Sequence, residues 1–438
     1  MRILREVREM KEVREMKEVR EMKIETLKRK NKYFYIGVIC GVILLSILVF
    51  NVSRAKYKTT ESIELARGTI NYTVPDFNLM AVYLEKDGGY QLADNIPTNG
   101  YTLNKEQTYC KVNENYNLPI TIEYNNGSIN IFNLTKRGTK CYIYLDAKKI
   151  TIKDILASKT ITTRTDFSAT LTEDTTGTIY SAEDDYGTSY YFAGNPTDNW
   201  VKFAGFYWRI IRINGDGTLR LIYNGPTTDQ TGDTTQIGTS VYSNLTGDNM
   251  YVGYQYTSGE VHGRETDSTI KGVLDNWYNN NLSSYSNYIT TGNGATFCND
   301  RTPYTGPGTG ASYTEYAAHN RLVTNKTPSL KCADINDRFN TKIGLITADE
   351  VAYAGGVWNV DNSKYYLYTN QWYWTMSPDI FTASGTHPVF NFSVLASGSF
   401  NYAGVADPTI GVRPIINIKS NTQFYEGSGT SSDPYIVT

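Results

Sequence analysis

Residues 370–379 read NQWYWTMSPD, in which three aromatic side chains follow one another before a Ser-Pro pair. Because successive side chains of a β-strand point to opposite faces, Trp372 and Trp374 share one face, and Tyr373 and Thr375 share the other. Tryptophan side chains are highly buried on average in folded proteins. The stretch therefore predicts a strand in the core of a sheet, with both tryptophans in the interior.

Short apolar runs separated by turn signals continue on both sides of this strand. The run WVKFAGFYWRIIRI is followed by Asn-Gly-Asp-Gly at residues 214–217 and then by TLRLIYNG, which predicts a tight hairpin. Asn-Asn-Gly at residues 125–127 predicts another hairpin within a smaller strand-rich region. Strand and turn signals of this kind predict an α+β fold that is rich in β-structure.

Two helices are predicted between the strands. Residues 268–282 place apolar side chains on one helical face, with Asp267 or Ser268 as the N-cap. Thr347 and Glu350 have the spacing of a capping box, and a Gly-Gly pair follows as a stop signal. Each helix is therefore bounded by residues with a physical reason to begin or end it.

An apolar stretch without charges, YFYIGVICGVILLSILVFNV, occupies residues 33–52. At about 1.5 Å per residue, a helix of this length spans the roughly 30 Å hydrocarbon core of a bilayer. Basic residues are more numerous on its N-terminal side, which predicts a cytosolic N-terminus and an extracellular remainder. A cleavable signal peptide is the alternative, since residues 53–55, Ser-Arg-Ala, resemble a cleavage site. In either case we expect most of the chain to be exported. If residues 33–52 stay as an anchor, the protein is a single-pass protein of the cell membrane.

The N-terminal residues 6–23 contain three copies of the hexamer EVREMK. Apolar residues that recur every third position wind around a helix and form no coiled-coil seam. A solvated helical tail is predicted, and a duplicated coding tract with the true start at Met22 is the alternative.

The predicted segments are a cytosolic basic helical repeat tail (1–32), a transmembrane helix or uncleaved signal anchor (33–52), a stalk (53–68), a small β-sandwich-like domain (69–150), a helix with a linker (151–177) and a large C-terminal domain (178–438).

The net charge of −2 hides an asymmetry along the chain. Residues 1–58 carry a net charge of +8, and the remaining residues carry −10. A basic tail beside a membrane accounts for the first value. The acidic remainder argues against nucleic acid as a partner, because phosphate binding needs a positive surface.

The five cysteines suggest a structural use outside the cell. Cys40 lies within the apolar stretch, and the other four lie in the exported part, where thiols oxidise. Of the three possible pairings, we favour Cys110 with Cys141 and Cys298 with Cys332, because each bond then stays within one domain. The spacing fits no zinc pattern.

Motifs for catalysis are missing from the sequence. It contains no HExxH, GxSxG, Walker A or GxGxxG pattern. The consecutive carboxylates Glu183, Asp184 and Asp185 do not by themselves give the separation that glycoside hydrolysis needs. We interpret them as a turn or, at most, the rim of a weak Ca²⁺ site, and we expect no other cofactor. An extracellular hydrolase that uses these carboxylates and His387 is the alternative.

The chain resembles a large group of uncharacterised surface proteins of low-GC gut bacteria and their relatives over roughly residues 55–438. The blocks that carry the resemblance are AEDDYGTSYYFAGN, WVKFAGFYWRIIRINGDGTLRLIYNG, DSTIKGVLDNWYNNNL, FCNDR, LKCADINDRF, IGLITADEVAYAGG, QWYWTMSP and GVRPIINI. The last segment is similar to C-type-lectin-like folds of the formylglycine-generating-enzyme type. In that fold a Trp-x-Trp-(Thr)-x-Ser strand shares a sheet with a later Gly-aliphatic-Arg strand, here residues 372–377 and 411–413.

This resemblance implies that residues 178–438 form a C-type-lectin-like domain. Its core scaffold would consist of Trp208, Trp372, Trp374, Gly411 and Arg413. Enzymes of this fold use a copper-binding cysteine pair near the C-terminus, and no cysteine follows Cys332 here. The oxidase chemistry is therefore not carried over, and ligand binding by a rigid scaffold with variable loops remains.

The predicted function is a membrane-anchored, non-catalytic extracellular module that binds a glycan or a surface protein in adhesion. The 36 tyrosines fit this function, because tyrosine offers contact area at a low entropic cost. Binding side chains are expected on the segments that flank the tryptophan strand. They are Tyr365, Tyr366, Tyr368, Asp379, Phe381, Asn401 and Tyr402. A structural envelope protein with a partner in the same cell is a further alternative.

Overall fold

The structure, a computed structural model, describes Arg20 and most of the chain from residue 69 onward. The described ranges are 69–71, 79–86, 89–98, 100–112, 116–117, 119–125, 127–133, 136, 138–290, 296–385 and 388–437. The chain divides into two compact units, Met1–Leu65 and Ala66–Thr438. Apart from Arg20, the predicted tail, membrane span and stalk (1–68) lie outside the described residues. Within the described ranges, none of the helices has the length and apolar character needed to cross a bilayer.

Strands predominate among the described elements. The strands are β1 (Thr69–Asn71), β2 (Leu79–Lys86), β3 (Gly89–Leu92), β4 (Tyr101–Leu103), β5 (Tyr109–Val112), β6 (Tyr116–Asn117), β7 (Thr121–Asn125), β8 (Ser128–Phe132), β9 (Thr139–Ala147), β10 (Lys149–Thr151), β11 (Thr160–Thr163), β12 (Thr178–Asp184), β13 (Gly187–Tyr191), β14 (Trp200–Phe203), β15 (Phe206–Ile213), β16 (Leu219–Gly225), β17 (Gln255–Tyr256), β18 (Thr266–Asp267), β19 (Thr296–Cys298), β20 (Pro303–Thr305), β21 (Thr314–Tyr316), β22 (Arg338–Asn340), β23 (Tyr373–Phe381), β24 (Val389–Val394), β25 (Phe400–Gly404), β26 (Ile415–Ile418), β27 (Gln423–Tyr425) and β28 (Tyr435–Val437). The helices are α1 (Ile152–Ala157), α2 (Thr269–Asn281), α3 (Ala317–His319), which continues as a π-helical turn (Asn320–Thr324), and α4 (Ala348–Ala354). The β-rich α+β class predicted from the sequence is confirmed.

Two sheets share one hydrophobic cluster in the first part of the larger unit. One sheet has the order β3-β2-β9-β5-β6, with β4 paired to β9, and the other has the order β1-β8-β7. Side chains from both sheets, among them Val82, Ile129 and Ile143, are buried together. Asn125 pairs with Ser128 across the predicted hairpin, which is confirmed. Burial alternates along β9, so this sheet has one packed face and one face toward solvent.

Both favoured disulfides are present. Cys110–Cys141 joins β5 to β9, and Cys298–Cys332 joins β19 to the segment before β22. The bonds link residues 31 and 34 positions apart. Cross-links over loops of this length stabilise a fold mainly by restricting the unfolded chain.

A ten-stranded sheet forms the centre of the remaining described chain. Its order is β10-β27-β28-β14-β15-β13-β12-β11, and β16 pairs with β15 and β26. The strand β10 directly follows the first two sheets and pairs with β27 near the C-terminus, with Ile150 opposite Phe424. The predicted hairpin at residues 214–217 connects β15 to β16 and is confirmed. The sheet thus joins early and late parts of the chain.

The aromatic motif lies in β23, within a five-stranded sheet of order β20-β21-β23-β24-β25. Its residues Tyr373–Phe381 are buried apart from one half-buried position, so the strand is packed on both faces. The Trp374 backbone N–H donates to the Gly411 carbonyl at 3.0 Å, and Tyr373 forms a parallel bridge with Gly411. A Cβ at position 411 would lie 2.8 Å from the backbone carbonyl oxygen of Trp372 and 1.6 Å from Gln236 Oε1. Glycine is therefore required where the two motifs meet.

The expected core scaffold is mostly in the interior. Four of its members are buried, namely Trp208, Trp374, Gly411 and Arg413. Trp372 precedes the strand and is only half-buried, because the chain turns toward the surface there. The Arg413 guanidinium donates to the carbonyls of Tyr223 and Leu367 and lies 4.7 Å from the Tyr373 ring. Arg413 therefore ties β16 to the segment before β23.

The helix caps are those that the sequence predicts. The Ser268 side chain accepts the Lys271 N–H at the start of α2. At α4, Thr347 and Glu350 form a reciprocal capping box, and the helix ends at Gly355 with a φ of 118°. This cap places the Glu350 carboxylate at the start of α4, where it forms buried salt bridges with Arg212 and Arg220.

Candidate functional site

The structure divides the seven predicted binding residues between the interior and the surface. Four lie in the interior, namely Tyr365, Tyr366, Asp379 and Phe381. The Tyr366 N–H donates to the Gly194 carbonyl at 2.9 Å, and the Leu367 carbonyl accepts from Arg413. This segment therefore passes through the core and does not flank it at the surface. The expected surface position of these four residues is corrected to a core position.

The other three residues lie closer to solvent. Tyr368 and Asn401 are half-buried, and Tyr402 is 46% exposed. Asn401 and Tyr402 are neighbours on β25, at the end of the five-stranded sheet. They mark the part of the predicted surface that can contact a ligand.

An aromatic cluster surrounds Tyr402 on the β24–β25 hairpin. It consists of Trp358, Phe390, Phe392, Phe400 and Tyr402, and is called the Trp358 cluster below. Trp358 stacks on Tyr402 with ring centroids 5.6 Å apart and 27° between the planes. Trp358 also meets Phe392 and Phe400 edge-on, and Phe390 meets Tyr402 edge-on at 5.2 Å. These are favoured aromatic geometries. Because Phe392 and Phe400 are buried while Tyr402 is exposed, the cluster is anchored in the core and opens to solvent.

Strand register brings the cluster together. Phe392 lies opposite Tyr402 in the antiparallel pair of β24 and β25, so both side chains share one face. Trp358 forms a parallel bridge with Phe400, and the Asn359 N–H donates to the Phe400 carbonyl at 3.0 Å. Backbone hydrogen bonds thus hold the indole over the hairpin.

Amide side chains lie beside the exposed rings. Asn401 Nδ2 donates to Asn359 Oδ1 at 3.3 Å, and Asn401 Oδ1 accepts the Tyr402 N–H at 2.8 Å. Asn359 has a φ of 55°, a conformation that asparagine adopts more readily than most residues. Each amide carries donors and acceptors, so the site combines a flat apolar surface with hydrogen-bonding groups at its edge.

The predicted carboxylates do not converge on one point. Glu183 is exposed and accepts the Thr188 hydroxyl. Asp184 is buried and accepts hydrogen bonds from Arg212 and from the N–H groups of Tyr186 and Gly215. Because neighbours on a strand point to opposite faces, Glu183 and Asp184 cannot act on the same bond.

The remaining members of the predicted hydrolase site are also separate. Asp185 accepts the Cys332 N–H, and its other oxygen lies 3.8 Å from Arg338. His387 lies outside the described residues. In the described ranges no three His, Cys, Asp or Glu side chains are grouped to hold a metal ion.

Asp184 belongs to a buried network of arginines and carboxylates. Arg212 contacts Asp184 at 2.8 Å and Glu350 at 3.0 Å, and Arg220 contacts Glu350 at 2.6 Å. Burial alone would raise the pKa of Glu350, but the two guanidinium groups outweigh it and hold that pKa below its usual range. A cavity of about 40 Å³ adjoins the network, which is enough for ordered water but too small for a sugar. The network therefore has a structural role.

Both described histidines pair with buried aspartates. His319 Nδ1 lies 2.7 Å from Asp379 Oδ1, and His262 Nδ1 lies 3.0 Å from Asp337 Oδ1. In a nucleophilic triad an aspartate orients the histidine, which in turn is hydrogen-bonded to the nucleophile. Among the described residues, however, neither histidine is hydrogen-bonded to a hydroxyl or thiol. Ser377 is buried, and its hydroxyl accepts the N–H of Ala348. The pairs therefore cross-link the fold without completing a triad.

The His319–Asp379 pair predicts a pH-dependent contribution to stability. The bond to Asp379 raises the pKa of His319, and burial raises the pKa of Asp379. A histidine whose pKa is higher in the folded than in the unfolded state stabilises the fold fully at pH values below the unfolded-state pKa. This stabilisation is lost as the pH rises through the folded-state value. The stability that wild type has over Asp379→Asn should therefore be greater at pH 6 than at pH 8.5, by roughly 1 kcal/mol.

Urea unfolding of both proteins at the two pH values measures this difference. An NMR titration of the His319 ring should show a lower pKa in Asp379→Asn than in wild type. Equal stability differences at both pH values would contradict the assignment.

Comparison with known proteins gave no relatives. A scan with protein-family models, a search of curated proteins and a search of solved structures each found no match. The residues of this chain are therefore the basis for inferring its function.

Proposed function

We propose that the chain is a membrane-anchored extracellular module that binds carbohydrate without catalysis, through the Trp358 cluster. In this proposal residues 33–52 anchor the chain, and residues 178–438 form a C-type-lectin-like scaffold that presents the cluster. The observation that carries the proposal is the stack of half-buried Trp358 on exposed Tyr402, with the Asn359 and Asn401 amides beside it.

This combination matches the chemistry of a sugar ring. A pyranose has an apolar face of C–H groups, which packs on an aromatic ring, and hydroxyls at its edge, which pair with amides. The stacked pair is held by buried neighbours, so little conformational entropy is lost when a ligand binds. An arrangement of this kind suits recognition of a neutral or weakly charged glycan.

The other candidate sites favour binding over hydrolysis. The predicted carboxylates are engaged in salt bridges or hydrogen bonds, and Glu183 and Asp184 point to opposite sides of their strand. A glycosidase needs two carboxyl groups that face one another across a substrate. The Trp358 cluster has stacking and hydrogen-bonding groups without such a pair among its members.

A glycan array probed with the full-length protein in mild detergent tests the proposal. We expect binding to at least one glycan class, and we expect Tyr402→Ala to weaken that binding about tenfold, or about 1.4 kcal/mol. Tyr402→Phe should retain most of the affinity, because the ring is kept. Tyr304→Ala is the matched control, since Tyr304 is 59% exposed but lies on β20. Absence of glycan binding by folded protein, or equal losses for Tyr402→Ala and Tyr304→Ala, would refute the proposal.

A further inference from the structure

A row of tyrosine side chains crosses the solvent-facing side of the sheet β3-β2-β9-β5. Its members are Tyr83, Tyr90, Tyr109, Tyr142 and Tyr144, and they are called the tyrosine row below. Tyr83 stacks on Tyr144 at 4.9 Å, and Tyr109 stacks on Tyr142 at 5.0 Å. Tyr90 meets Tyr144 edge-on at 5.0 Å. All five are partly exposed, so two groups of rings, Tyr83–Tyr144–Tyr90 and Tyr109–Tyr142, share one face of the sheet.

The register of the strands explains this row. Tyr83 pairs with Tyr144 between parallel strands, and Tyr109 pairs with Tyr142 between antiparallel strands. Their neighbours in sequence, such as Val82 and Ile143, point inward and are fully buried. Four adjacent strands at about 4.8 Å spacing give the row a length of roughly 14 Å. This length suits an extended chain ligand of several units.

Hydrogen-bonding groups accompany the rings. Among the described residues, the hydroxyls of four members have no hydrogen-bond partner, namely Tyr83, Tyr109, Tyr142 and Tyr144. The Tyr90 hydroxyl donates to Asp146, which also accepts from Asn104 at 3.0 Å. The row therefore offers several tyrosine hydroxyls to a ligand rich in hydroxyls.

The charges around the row are balanced. Lys111 lies 5.3 Å from the Tyr142 ring, and Lys140 is exposed on β9. On the acidic side, Asp146 accepts hydrogen bonds, and Glu85 accepts the Ala147 N–H. Glu85 is also paired with Lys149 at 3.6 Å, so charges of both signs are interspersed and no cluster of one sign is available to a polyanion or a polycation. A neutral ligand is favoured.

From these observations we propose that the tyrosine row is a second binding site, which takes an uncharged polysaccharide laid across strands β5, β9, β2 and β3. The solvent-facing parts of the stacked rings pack against C–H groups of the sugar units, and the free hydroxyls pair with sugar hydroxyls. The site is separate in residues from the Trp358 cluster, and its existence does not depend on the function proposed for that cluster.

A protein partner fits the same surface less well. The hot spots of protein interfaces are enriched in tryptophan and arginine as well as in tyrosine. Among the described residues that face outward on these four strands, Leu92 is the strongly exposed aliphatic side chain, and arginine does not occur. A surface that consists of aromatic rings and hydroxyls matches a carbohydrate chain better than a protein partner.

Affinity electrophoresis of the full-length protein in mild detergent tests this site. The probes are four neutral polysaccharides (a β-1,3-glucan, hydroxyethyl cellulose, a xylan and a mannan), with alginate as the charged control. We expect retardation by at least one neutral polymer and none by alginate. Tyr83→Ser/Tyr144→Ser should weaken retardation about tenfold, because two ring faces are lost. Tyr83→Phe/Tyr144→Phe keeps the rings, folds without cavities and should bind more tightly than the serine variant.

The remaining outcomes separate this site from the Trp358 cluster. Tyr304→Ala, which removes an exposed tyrosine outside both sites, should leave retardation by the row's polymer unchanged. Retardation that is lost in Tyr402→Ala but kept in the serine variant would overturn the proposal. It would also be overturned if the folded wild-type protein is retarded by none of the neutral polymers. A dimer in light scattering that the serine variant abolishes would likewise overturn it, since the row would then be an interface between copies.

Discussion

Replacing Glu350 by alanine should lower the free energy of unfolding by about 3–5 kcal/mol. The carboxylate accepts from Arg212 and Arg220 and also caps α4 by accepting the Thr347 N–H. The substitution leaves two guanidinium groups buried without this counter-charge, and burial of an unpaired charge is costly. Urea unfolding followed by circular dichroism measures the change.

Glu183→Ala is the matched control for this substitution. Glu183 is an exposed carboxylate that bonds only to the Thr188 hydroxyl among the described residues. Its loss should change the unfolding free energy by no more than about 0.5 kcal/mol. If Glu350→Ala cost as little as Glu183→Ala, the buried network would not stabilise the fold as we infer.

Trp374→Ala should cost about 3–5 kcal/mol, the range for truncation of a large buried aromatic side chain. The indole is fully buried, donates to the Ser240 carbonyl at 2.7 Å and meets Tyr242 edge-on. Alanine removes this packing and leaves the Ser240 carbonyl without its donor. The result should be an unfolding midpoint at clearly lower urea concentration.

Trp372→Ala provides the comparison for Trp374→Ala. Trp372 is half-buried, and its indole N–H donates to the Ser393 hydroxyl at 2.8 Å. Since part of the ring already faces solvent, its loss should cost only about 1–2 kcal/mol. A larger loss for Trp372→Ala than for Trp374→Ala would show that the aromatic motif is packed in a different way.

Local signals in the sequence were sufficient to predict the elements that short-range chemistry controls. The capping box of Thr347 and Glu350, the Ser268 cap and both hairpins depend on residues a few positions apart, and all are present. The disulfides could also be predicted, because only one arrangement keeps both bonds within single domains.

Long-range packing decided the features that the sequence did not reveal. Tyr365 and Tyr366 look like surface residues beside polar neighbours, but contacts to Gly194 and Arg413 hold their segment in the core. The alternation of apolar and polar residues does not indicate that this segment is buried, because Gly194 and Arg413 lie far from it in sequence. Strand β23 is packed on both faces, so alternation also failed to separate its two sides.

The Trp358 cluster was missed for a related reason. Trp358 follows the Gly-Gly stop of α4, whereas its partner Tyr402 lies on β25. A tryptophan in a loop next to a helix end was the one local signal for an exposed aromatic. Its pairing with Tyr402 required the register of β24 and β25, which no short segment specifies.

Hydroxyl-radical footprinting of the protein with a glycan that it binds tests the central proposal most directly. Tyr186, Tyr304, Tyr313 and Tyr402 are exposed and should all react in the free protein, so the first three act as internal references. We predict that the glycan protects Tyr402 and Trp358 at least several-fold while the three references keep their reactivity. Unchanged reactivity of Tyr402 in the saturated complex, with protection elsewhere, would contradict a carbohydrate site at the Trp358 cluster.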